Sequence, residues 1–440
     1  MSATSLPAHV VVLFDPTGRD SQKRSIRRPF LVNRETGLTY EFASTYVYRF
    51  LKTKSLNTQI CALRELAFYV GWLELKRQRN PQWRSPEARV REGGRPLTIG
   101  EVEELCNWFQ YNASDLTREL SSDKKVRSHP SSRSAVESLT TNRRIWTICL
   151  YLVWLVSELV EDDATTSHAS IRYQYQVELR RSFRASLNAK KKPAIARSLS
   201  KEQAGEVRDA LDNSTIYPNT SHGARDGLIS RLLLDTGLRA GELLKLQTTD
   251  IEDNYQLRDG RMIGVLDIVR RPNDHMDERI DEPAVKTLPG LLHIGHSLTQ
   301  ALMKYIVGDR RVAMNSRKDD IEHSYLFVCH SGKNVGKPIS RRNLIRIVAK
   351  LKTVASGFEE ISSHVLRHTH FTEIADHAEM KGTGKDDIKA MLINRGRWAP
   401  HSTMPELYTQ RRIERKTAEL IAEREKLIAP KKKKSVSRSR

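Results

Sequence analysis

The sequence predicts a mainly α-helical protein with a small β-sheet confined to its second half. The chain has 440 residues, which is more than one hydrophobic core usually serves, so two domains are expected. In the first half, apolar residues recur at the spacing of amphipathic helices. In the second half, helical segments alternate with short apolar runs that are typical of strands. We therefore expect an all-helical domain followed by an α+β domain.

The first domain is predicted from helical periodicity. Residues 1–40 are polar and predict an irregular N-terminal extension with one candidate strand at 10–14. Residues 41–185 are assigned to one helical domain, because helices are indicated at about 45–76, 99–111 and 141–160. Its basic residues are expected on helix faces opposite the core, with a merely solvated face as the alternative; they include Arg49, Lys52, Lys54, Arg64, Arg143 and Arg144.

A change in composition marks the boundary between the two domains. Residues 186–198 lack periodicity and contain three consecutive lysines followed by Pro193, which predicts a basic interdomain linker. Ser200 and Gln203 then form the capping-box pattern that opens a helix. The second domain is accordingly assigned to residues 199–427.

The second domain mixes helices with strands. A buried helix over 228–235 is interrupted by Gly237 and a new helix begins at Ala240, so Arg239 stands at a helix N-terminus. Strands are predicted at 262–270, 283–288 and 325–328. The chain is predicted to end in a charged helix over 414–427 and a disordered basic tail over 428–440.

The charge of the chain points to a polyanionic partner. Lysine and arginine outnumber aspartate and glutamate by 74 to 53, for a formal net charge of +21. Such an excess suits nucleic acid or an acidic membrane surface. The best apolar run, 146–156, is too short to span a bilayer, and residues 1–30 lack the apolar stretch of a secretory signal. Nucleic acid is therefore the expected partner, with no membrane association, and the expected location is the cytoplasm.

The cysteines predict neither a disulfide framework nor a zinc site. The four are far apart in the sequence and share no C-x-x-C spacing: Cys61, Cys106, Cys149 and Cys329. Without such spacing they are expected to be reduced thiols. No metal or other cofactor is expected.

One helix carries basic residues on the face that should be buried. At helical spacing a single stripe contains His364, Arg367, Phe371, Ile374 and Ala378. A guanidinium that faces an apolar interior is costly unless it is paired. Arg367 is therefore expected to bind an anionic ligand, and the alternative is a structural ion pair with Glu373 or Asp376.

Two further residues suit chemistry on an anion. Arg239 lies at a helix N-terminus, where free amides and the helix dipole already favour negative charge. Its alternative is an i,i+3 surface pair with Glu242. Tyr408 closes the segment that begins at Trp398, and a phenol near clustered cations is a candidate nucleophile. The alternative for Tyr408 is a packed aromatic side chain at the start of a helix.

In chain order these residues resemble the active site of the tyrosine recombinase (phage integrase) family. The set is Arg239 within Thr236-Gly237-Leu238-Arg239-Ala240-Gly241-Glu242, Lys286, His364-x-x-Arg367, Trp398 and Tyr408. The resemblance is close over 199–412 and extends to 45–185 only in pattern. It implies a helical core-binding domain and an α+β catalytic domain that together form a clamp around DNA.

The resemblance also implies a role for each residue. Arg239 and Arg367 would clamp the scissile phosphate, and Tyr408 would attack it to form a 3′-phosphotyrosine link. Lys286 would be the general acid for the departing 5′-oxygen. His364 would accept a proton or bond the phosphate, and Trp398 would donate its indole N–H. The alternatives are that Lys286 is a solvated lysine on a strand, that His364 is a hydrogen-bonded histidine of the core, and that Trp398 is a core tryptophan.

The chain departs from the family pattern in two places. Leu288, Pro289 and Gly290 follow Lys286-Thr287 where the family often has another basic residue, which leaves the hairpin geometry open. Arg397 stands between Gly396 and Trp398, which leaves the register of that loop open. Neither departure removes a catalytic side chain.

The resemblance implies a site-specific DNA recombinase that integrates or excises a mobile element. A type IB topoisomerase-like nicking and resealing enzyme and a non-catalytic DNA-binding accessory protein are the alternatives. Its expected partners are double-stranded DNA, three further copies in a homo-tetramer assembled on two DNA sites, and accessory DNA-bending proteins. The expected location is then the cytoplasm, in association with the nucleoid.

Overall fold

The structure of the protein is a computed structural model. It describes residues 6–19, 25–121, 133–159, 166–189, 198–218, 220–272, 274, 276–279, 282–317, 322–355, 357, 361–406, 417–418 and 420–425. The chain divides into two compact units, Met1–Lys192 and Pro193–Arg440. Helices predominate in both.

The first unit consists of helices and one antiparallel hairpin. Its elements are β1 (Ala8–Arg19), β2 (Ser25–Asn33), α1 (Glu41–Leu51), α2 (Leu56–Arg79), α3 (Pro86–Arg91), α4 (Ile99–Trp108), α5 (Ala113–Ser121), α6 (Ser138–Leu159) and α7 (Thr166–Ala185). Helices α2 and α6 supply most of the core, in which Leu66, Trp72 and Leu152 are completely buried. This burial provides the main stabilisation of the unit.

The N-terminal segment differs from its prediction. The candidate strand at 10–14 lies within β1, but the rest of the segment is not irregular, because β1 and β2 pair as an antiparallel hairpin in which Ala8 lies opposite Asn33. Leu31 is completely buried, and its amide donates to the hydroxyl of Ser44 at 3.1 Å. Strand β2 was not predicted because Arg27 and Arg28 interrupt its apolar run. Strand pairing depends instead on backbone N–H and C=O groups, of which only proline lacks one.

Two further predictions for this unit need correction. The periodic segment 45–76 forms two helices, since Ser55 caps α2 by accepting the amide of Thr58 at 3.3 Å. Arg144 does not face away from the core. Its guanidinium is buried and donates to the carbonyl of Phe109 at 2.9 Å and to the carboxylate of Glu65 at 3.2 Å. The paired carboxylate and carbonyl offset the cost of burying that charge.

The second unit combines helices with a three-stranded sheet. Its elements are α8 (Lys201–Asp212), α9 (Ser221–Thr236), α10 (Ala240–Lys245), β3 (Ile251–Gln256), β4 (Met262–Ile268), β5 (Gly290–Ile294), α11 (His296–Tyr305), α12 (Arg311–Asn315), α13 (Arg341–Ala349), α14 (Ser363–Met380) and α15 (Lys385–Gly396). The strands are antiparallel in the order β3-β4-β5. The predicted mainly α architecture with a small sheet is confirmed. Both the capping box at Ser200 and the helix end at Gly237 are present.

Two predicted strands are wrong. Residues 283–288 are irregular and lie on the connection between β4 and β5, so Lys286 precedes the sheet. Residues 325–328 make only isolated bridges, from Tyr325 to Gln247 and from Val328 to Pro338. Residues 325–328 are apolar because they are buried, and burial alone does not distinguish a strand from an extended loop. Residues 283–288 are only partly buried, with Lys286 and Leu288 exposed.

The chain end is described only in part. Residues 417–418 and 420–425 are helical, and Leu420 and Ile421 are 65% and 55% exposed. The rest of the predicted helix at 414–427, the tail and most of the linker lie outside the described residues. Within the described part, the four cysteines are free thiols, and no helix is both long enough and apolar enough to cross a bilayer.

Candidate active site

Arg239 is placed by a sharp turn between two helices. Helix α9 ends at Gly237, which adopts a left-handed conformation with φ of +64°. A Cβ at this position would lie 2.6 Å from the ring of His370, so glycine suits the turn for space as well as for backbone freedom. The chain then reverses, and Arg239 becomes the N-cap of α10.

Arg367 lies inside the unit, as the stripe on its helix predicted. It is 3% exposed and donates to the carbonyl oxygens of Gly237 and, at 3.3 Å, Gly396. Its guanidinium also lies 4.7 Å from the ring centre of Phe371. The alternative pair with Glu373 is wrong, because Glu373 accepts two hydrogen bonds from Arg208 at 2.7 and 2.9 Å.

Glu242 is the acidic residue of the site, and its burial was not foreseen. Its side chain is completely buried, whereas the sequence suggested a surface pair with Arg239. One carboxylate oxygen accepts the amide of Arg239 and the guanidinium of Arg397, each at 2.8 Å. The other accepts the hydroxyl of Thr287. Glu242 thus joins three segments that are distant in the sequence.

Three guanidinium groups among the described residues lie around the Glu242 carboxylate. Besides Arg397, Nη1 of Arg239 lies 3.6 Å and Nη1 of Arg367 lies 3.9 Å from the carboxylate. One negative charge therefore faces three guanidinium groups. Nη1 of Arg239 is also buried without a hydrogen-bond acceptor among the described residues. A second anion would accept hydrogen bonds from Nη1 of Arg239 and add negative charge beside the three guanidinium groups.

His364 lies next to this cluster at the start of α14. Its side chain is exposed, unlike the buried position expected from the stripe. Partial desolvation and the positive charges of Arg239, Arg367, Arg341 and Lys286 hold its pKa below the ordinary value of 6.5. The imidazole is therefore neutral at neutral pH and can accept a proton.

Lys286 has an exposed side chain on an anchored backbone. The carbonyl of Thr287 accepts Nε of Arg270 at 2.6 Å, and the amide of Leu288 donates to the carbonyl of Arg397 at 3.0 Å. These bonds replace the strand ladder that was expected there. The ammonium group remains exposed and contributes to the positive potential at His364.

Trp398 forms the buried wall beside Arg367. Its ring is 6% exposed and packs on Phe371 with the ring centres 4.8 Å apart. A Cβ on Gly396 would lie 2.6 Å from the indole, so only glycine permits this approach. Arg397 absorbs the additional residue of this loop by adopting a left-handed conformation, with φ of +50°.

Tyr408 lies outside the described residues. The structure describes the other five predicted site residues. Contacts bring Arg239, Arg367 and Trp398 together, and His364 and Lys286 contribute to the same electrostatic environment. The arrangement suits an oxyanion, with cations to hold it and a neutral imidazole to accept a proton. Tyr325 is no competing nucleophile, because it is buried and its hydroxyl donates to Asp274 at 2.5 Å.

Sequence comparison identifies relatives of this chain. It is 23% identical over 281 residues to transposase A from transposon Tn554 of Staphylococcus aureus, a match that covers 62% of this chain and 66% of that protein. It is 27% identical over 182 residues to the XerC-like tyrosine recombinase of Caldanaerobacter subterraneus subsp. tengcongensis, covering 40% and 43% respectively. The chain is thus similar in sequence to proteins named as a transposase and as a tyrosine recombinase.

The match to these relatives is partial, since the chain covers less than two thirds of the length of each. No protein-family model matches the sequence. Among solved structures, XerH site-specific recombinase bound to palindromic difH substrate in a post-cleavage complex is 13% identical, with a TM-score of 0.48 over 83% of this chain and 79% of that one.

Three residues of the site escaped the sequence analysis. Glu242 was identified only as a surface partner, and Arg397 only as an additional residue in a loop. Arg341, exposed in the first turn of α13, was not identified although its charge acts on His364. The one signal in the sequence was the departure from the family pattern at Arg397. A large charged residue directly after a glycine in a tight loop indicates that its side chain makes a specific contact.

Proposed function

We propose that this protein is a site-specific DNA recombinase that cleaves and rejoins DNA strands through a 3′-phosphotyrosine intermediate, for the integration or excision of a mobile element. The observation that carries the proposal is the excess positive charge around Glu242, where one carboxylate faces three guanidinium groups. Such a site suits phosphoryl transfer, in which negative charge must be stabilised on the equatorial oxygens. Relatives named as a transposase and a tyrosine recombinase support the same chemistry.

In this mechanism the positive groups bind the DNA phosphate before the chemical step. Arg239 and Arg367 clamp the scissile phosphate, since a guanidinium offers paired N–H groups that match its oxygens. Trp398 borders the same phosphate and donates its indole N–H. Because these groups supply the charge, the reaction is expected to need no metal ion.

Proton transfers accompany the attack. The phenol oxygen of Tyr408 attacks phosphorus while His364, neutral at neutral pH, accepts the phenol proton. The bond from phosphorus to the 5′-oxygen breaks, and Lys286 gives that oxygen a proton. The phosphotyrosine ester keeps the free energy of the broken bond, so the reverse reaction can reseal DNA without ATP.

The proposed assembly is a homo-tetramer on two sites in double-stranded DNA. The formal charge of +21 supports a polyanionic partner, and the exposed Leu420 and Ile421 suit contact with a neighbouring copy. Accessory DNA-bending proteins belong to the same proposal, as does a cytoplasmic, nucleoid-associated location.

The test is detection of the covalent intermediate. A nicked suicide duplex incubated with the protein should give a protein–DNA species on a denaturing gel. Tyr408→Phe should bind DNA with near-normal affinity and form none, because it loses only the nucleophilic oxygen. Tyr255→Phe is the matched control, since Tyr255 is a partly exposed tyrosine of the same unit, 43% exposed, outside the site.

The outcomes separate the alternatives. An adduct that persists in Tyr408→Phe would assign the nucleophile to another residue. A wild-type protein that binds DNA without forming an adduct would be an accessory protein. An adduct with relaxation of supercoils but no recombinant product would indicate the topoisomerase-like activity.

A further inference from the structure

Arg397 adopts a backbone conformation that its residue type rarely accepts. Its φ of +50° lies in the left-handed region, where a side chain with a Cβ is strained. Among the described residues, Ser214 is the only other non-glycine residue with a positive φ. Strain of this kind persists where the surrounding structure requires it, and it often accompanies function.

The side chain of Arg397 makes the contacts that hold this conformation. It is 6% exposed, and Nη2 donates to Glu242 at 2.8 Å while Nη1 donates to the carbonyl of Arg395 at 3.3 Å. Its own carbonyl accepts the amide of Leu288 at 3.0 Å. Since Glu242 also accepts the hydroxyl of Thr287, Arg397 and Glu242 hold the two residues that directly follow Lys286.

This anchoring matters because the segment around Lys286 has no strand partner. Residues 282–289 form no regular structure, and the sheet resumes only at Gly290. Besides the contact with Arg270, the bonds to Arg397 and Glu242 fix the segment against the turn that carries Arg239. The position of the Lys286 ammonium relative to the arginines therefore depends on Arg397.

We propose that Arg397 is a positioning residue that holds Lys286 at the departing 5′-oxygen. This inference rests on the proposed function. It gives a role to Arg397, the additional residue between Gly396 and Trp398. Arg397 itself touches no reacting atom. Its loss should therefore slow the step in which the 5′-oxygen takes a proton, and leave the binding of the phosphate largely intact.

A change of leaving group isolates that step. In a duplex whose scissile phosphate carries a 5′-bridging sulfur, the bond from phosphorus to sulfur breaks and a thiolate departs. A thiol has a pKa of about 8.5, so its anion leaves without a proton from Lys286. A defect in proton donation should disappear on this substrate, whereas a defect in phosphate binding or folding should remain.

The experiment compares single-turnover cleavage of the oxygen and sulfur duplexes. Arg397→Gly suits it best, because glycine accepts the left-handed conformation while the guanidinium is lost. On the oxygen substrate we expect it to be slower than wild type by at least about tenfold, towards the ~10²–10⁴-fold that general acid–base catalysis supplies. On the sulfur substrate it should return to within about threefold of wild type, as Lys286→Ala should. Arg261→Gly, in the exposed β3–β4 turn, is the control.

The result that overturns the proposal is an Arg397→Gly protein that is equally slow on both substrates, or as fast as wild type on the oxygen substrate. If Arg397→Gly does not fold, as judged by thermal unfolding, Arg397→Lys decides instead, because lysine keeps the charge but lacks the fork that reaches both Glu242 and Arg395. Failure of the underlying function looks different, since the wild-type protein would then cleave neither duplex.

Discussion

Glu242 receives hydrogen bonds from an amide, a hydroxyl and a guanidinium that belong to three segments of the chain. Those donors are Arg239, Thr287 and Arg397. Burying a carboxylate is costly unless each oxygen is bonded, and here both are. The same carboxylate keeps the three guanidinium groups from repelling one another. Its contribution to stability and its contribution to the site therefore have the same physical origin.

Replacement of this carboxylate by an amide should destabilise the protein strongly. Glu242→Gln keeps the shape but leaves three buried or half-buried cations without their anion, and loss of one partner of a buried pair typically costs about 3–5 kcal/mol. Chemical denaturation measures the loss. Glu92→Gln removes a surface pair with Arg84 and should cost at most about 1 kcal/mol. Equal losses in the two variants would contradict the role given to Glu242.

His364 should titrate below its ordinary range in the DNA-free protein. Partial desolvation, followed by the charges of four nearby cations, disfavours the imidazolium and lowers the pKa of His364, so the NMR titration midpoint should lie below 6.5. Lys286→Ala removes one cation and should raise the midpoint, whereas Lys304→Ala on α11 should not. Since the folded-state pKa is depressed, the unfolded chain binds more protons near pH 6, and this residue reduces stability as the pH falls through 6.5. A midpoint above 6.5 would contradict the geometry of the cluster.

The turn between α9 and α10 depends on the space available at Gly237 as well as on its φ. Gly237→Ala should therefore cost more free energy of unfolding than Gly260→Ala, although both glycines have positive φ. The Cβ at Gly237 would lie 2.6 Å from His370, whereas nothing lies within 4 Å of the one at Gly260. Both variants bear the left-handed strain of about 1–2 kcal/mol, and only the first adds a steric clash. Thermal unfolding of the two proteins measures the difference, and equal costs would show that the turn can relax.

The sequence predicted the elements whose signals are local. Gly237 ends a helix through its own conformation, and the capping box at Ser200 requires only Gln203 three residues later. The segment around Lys286 was assigned to a strand because its partners are not local in sequence: Glu242 is 45 positions from Thr287, and Arg397 is more than a hundred positions from Leu288. Arg367 was recognised because helical spacing is a local signal. The burial of Glu242 depends on contacts with distant segments, which spacing could not show.

The C-terminal helix should matter for assembly more than for cleavage. Truncation after Arg412 should leave DNA binding by the monomer and some nicking, yet abolish cooperative assembly and recombinant product. A finer variant, Leu420→Lys with Ile421→Lys, should do the same by charging the exposed apolar residues. Glu423→Lys with Glu425→Lys is the control that alters charge alone. Sedimentation and a two-plasmid recombination assay provide the readouts, and full recombination by the truncated chain would refute this role.

The net charge of the entire chain should appear as a steep salt dependence of DNA binding. The logarithm of the binding constant should fall with the logarithm of salt concentration by about 0.9 for each phosphate neutralised. Deletion of residues 431–440 removes six basic residues and should make that slope shallower with little change in site preference. A tail of the same composition in scrambled order should restore the slope. Loss of sequence preference on deletion would instead mean that the tail reads bases.

The hydrogen bonds of the site differ in how easily a substitution can remove them. Two of them are the carbonyl oxygens of Gly237 and Gly396, and no codon change can delete a carbonyl oxygen. Substitutions elsewhere disturb these bonds only if they move the backbone. The bonds to Glu242, by contrast, depend on one side chain that a single base change can remove. Loss of the Glu242 side chain would therefore remove a hydrogen-bond acceptor of Arg239 and Arg397 and the anion nearest Arg367 at once, whereas the two carbonyl bonds of Arg367 persist as long as the backbone stays in place.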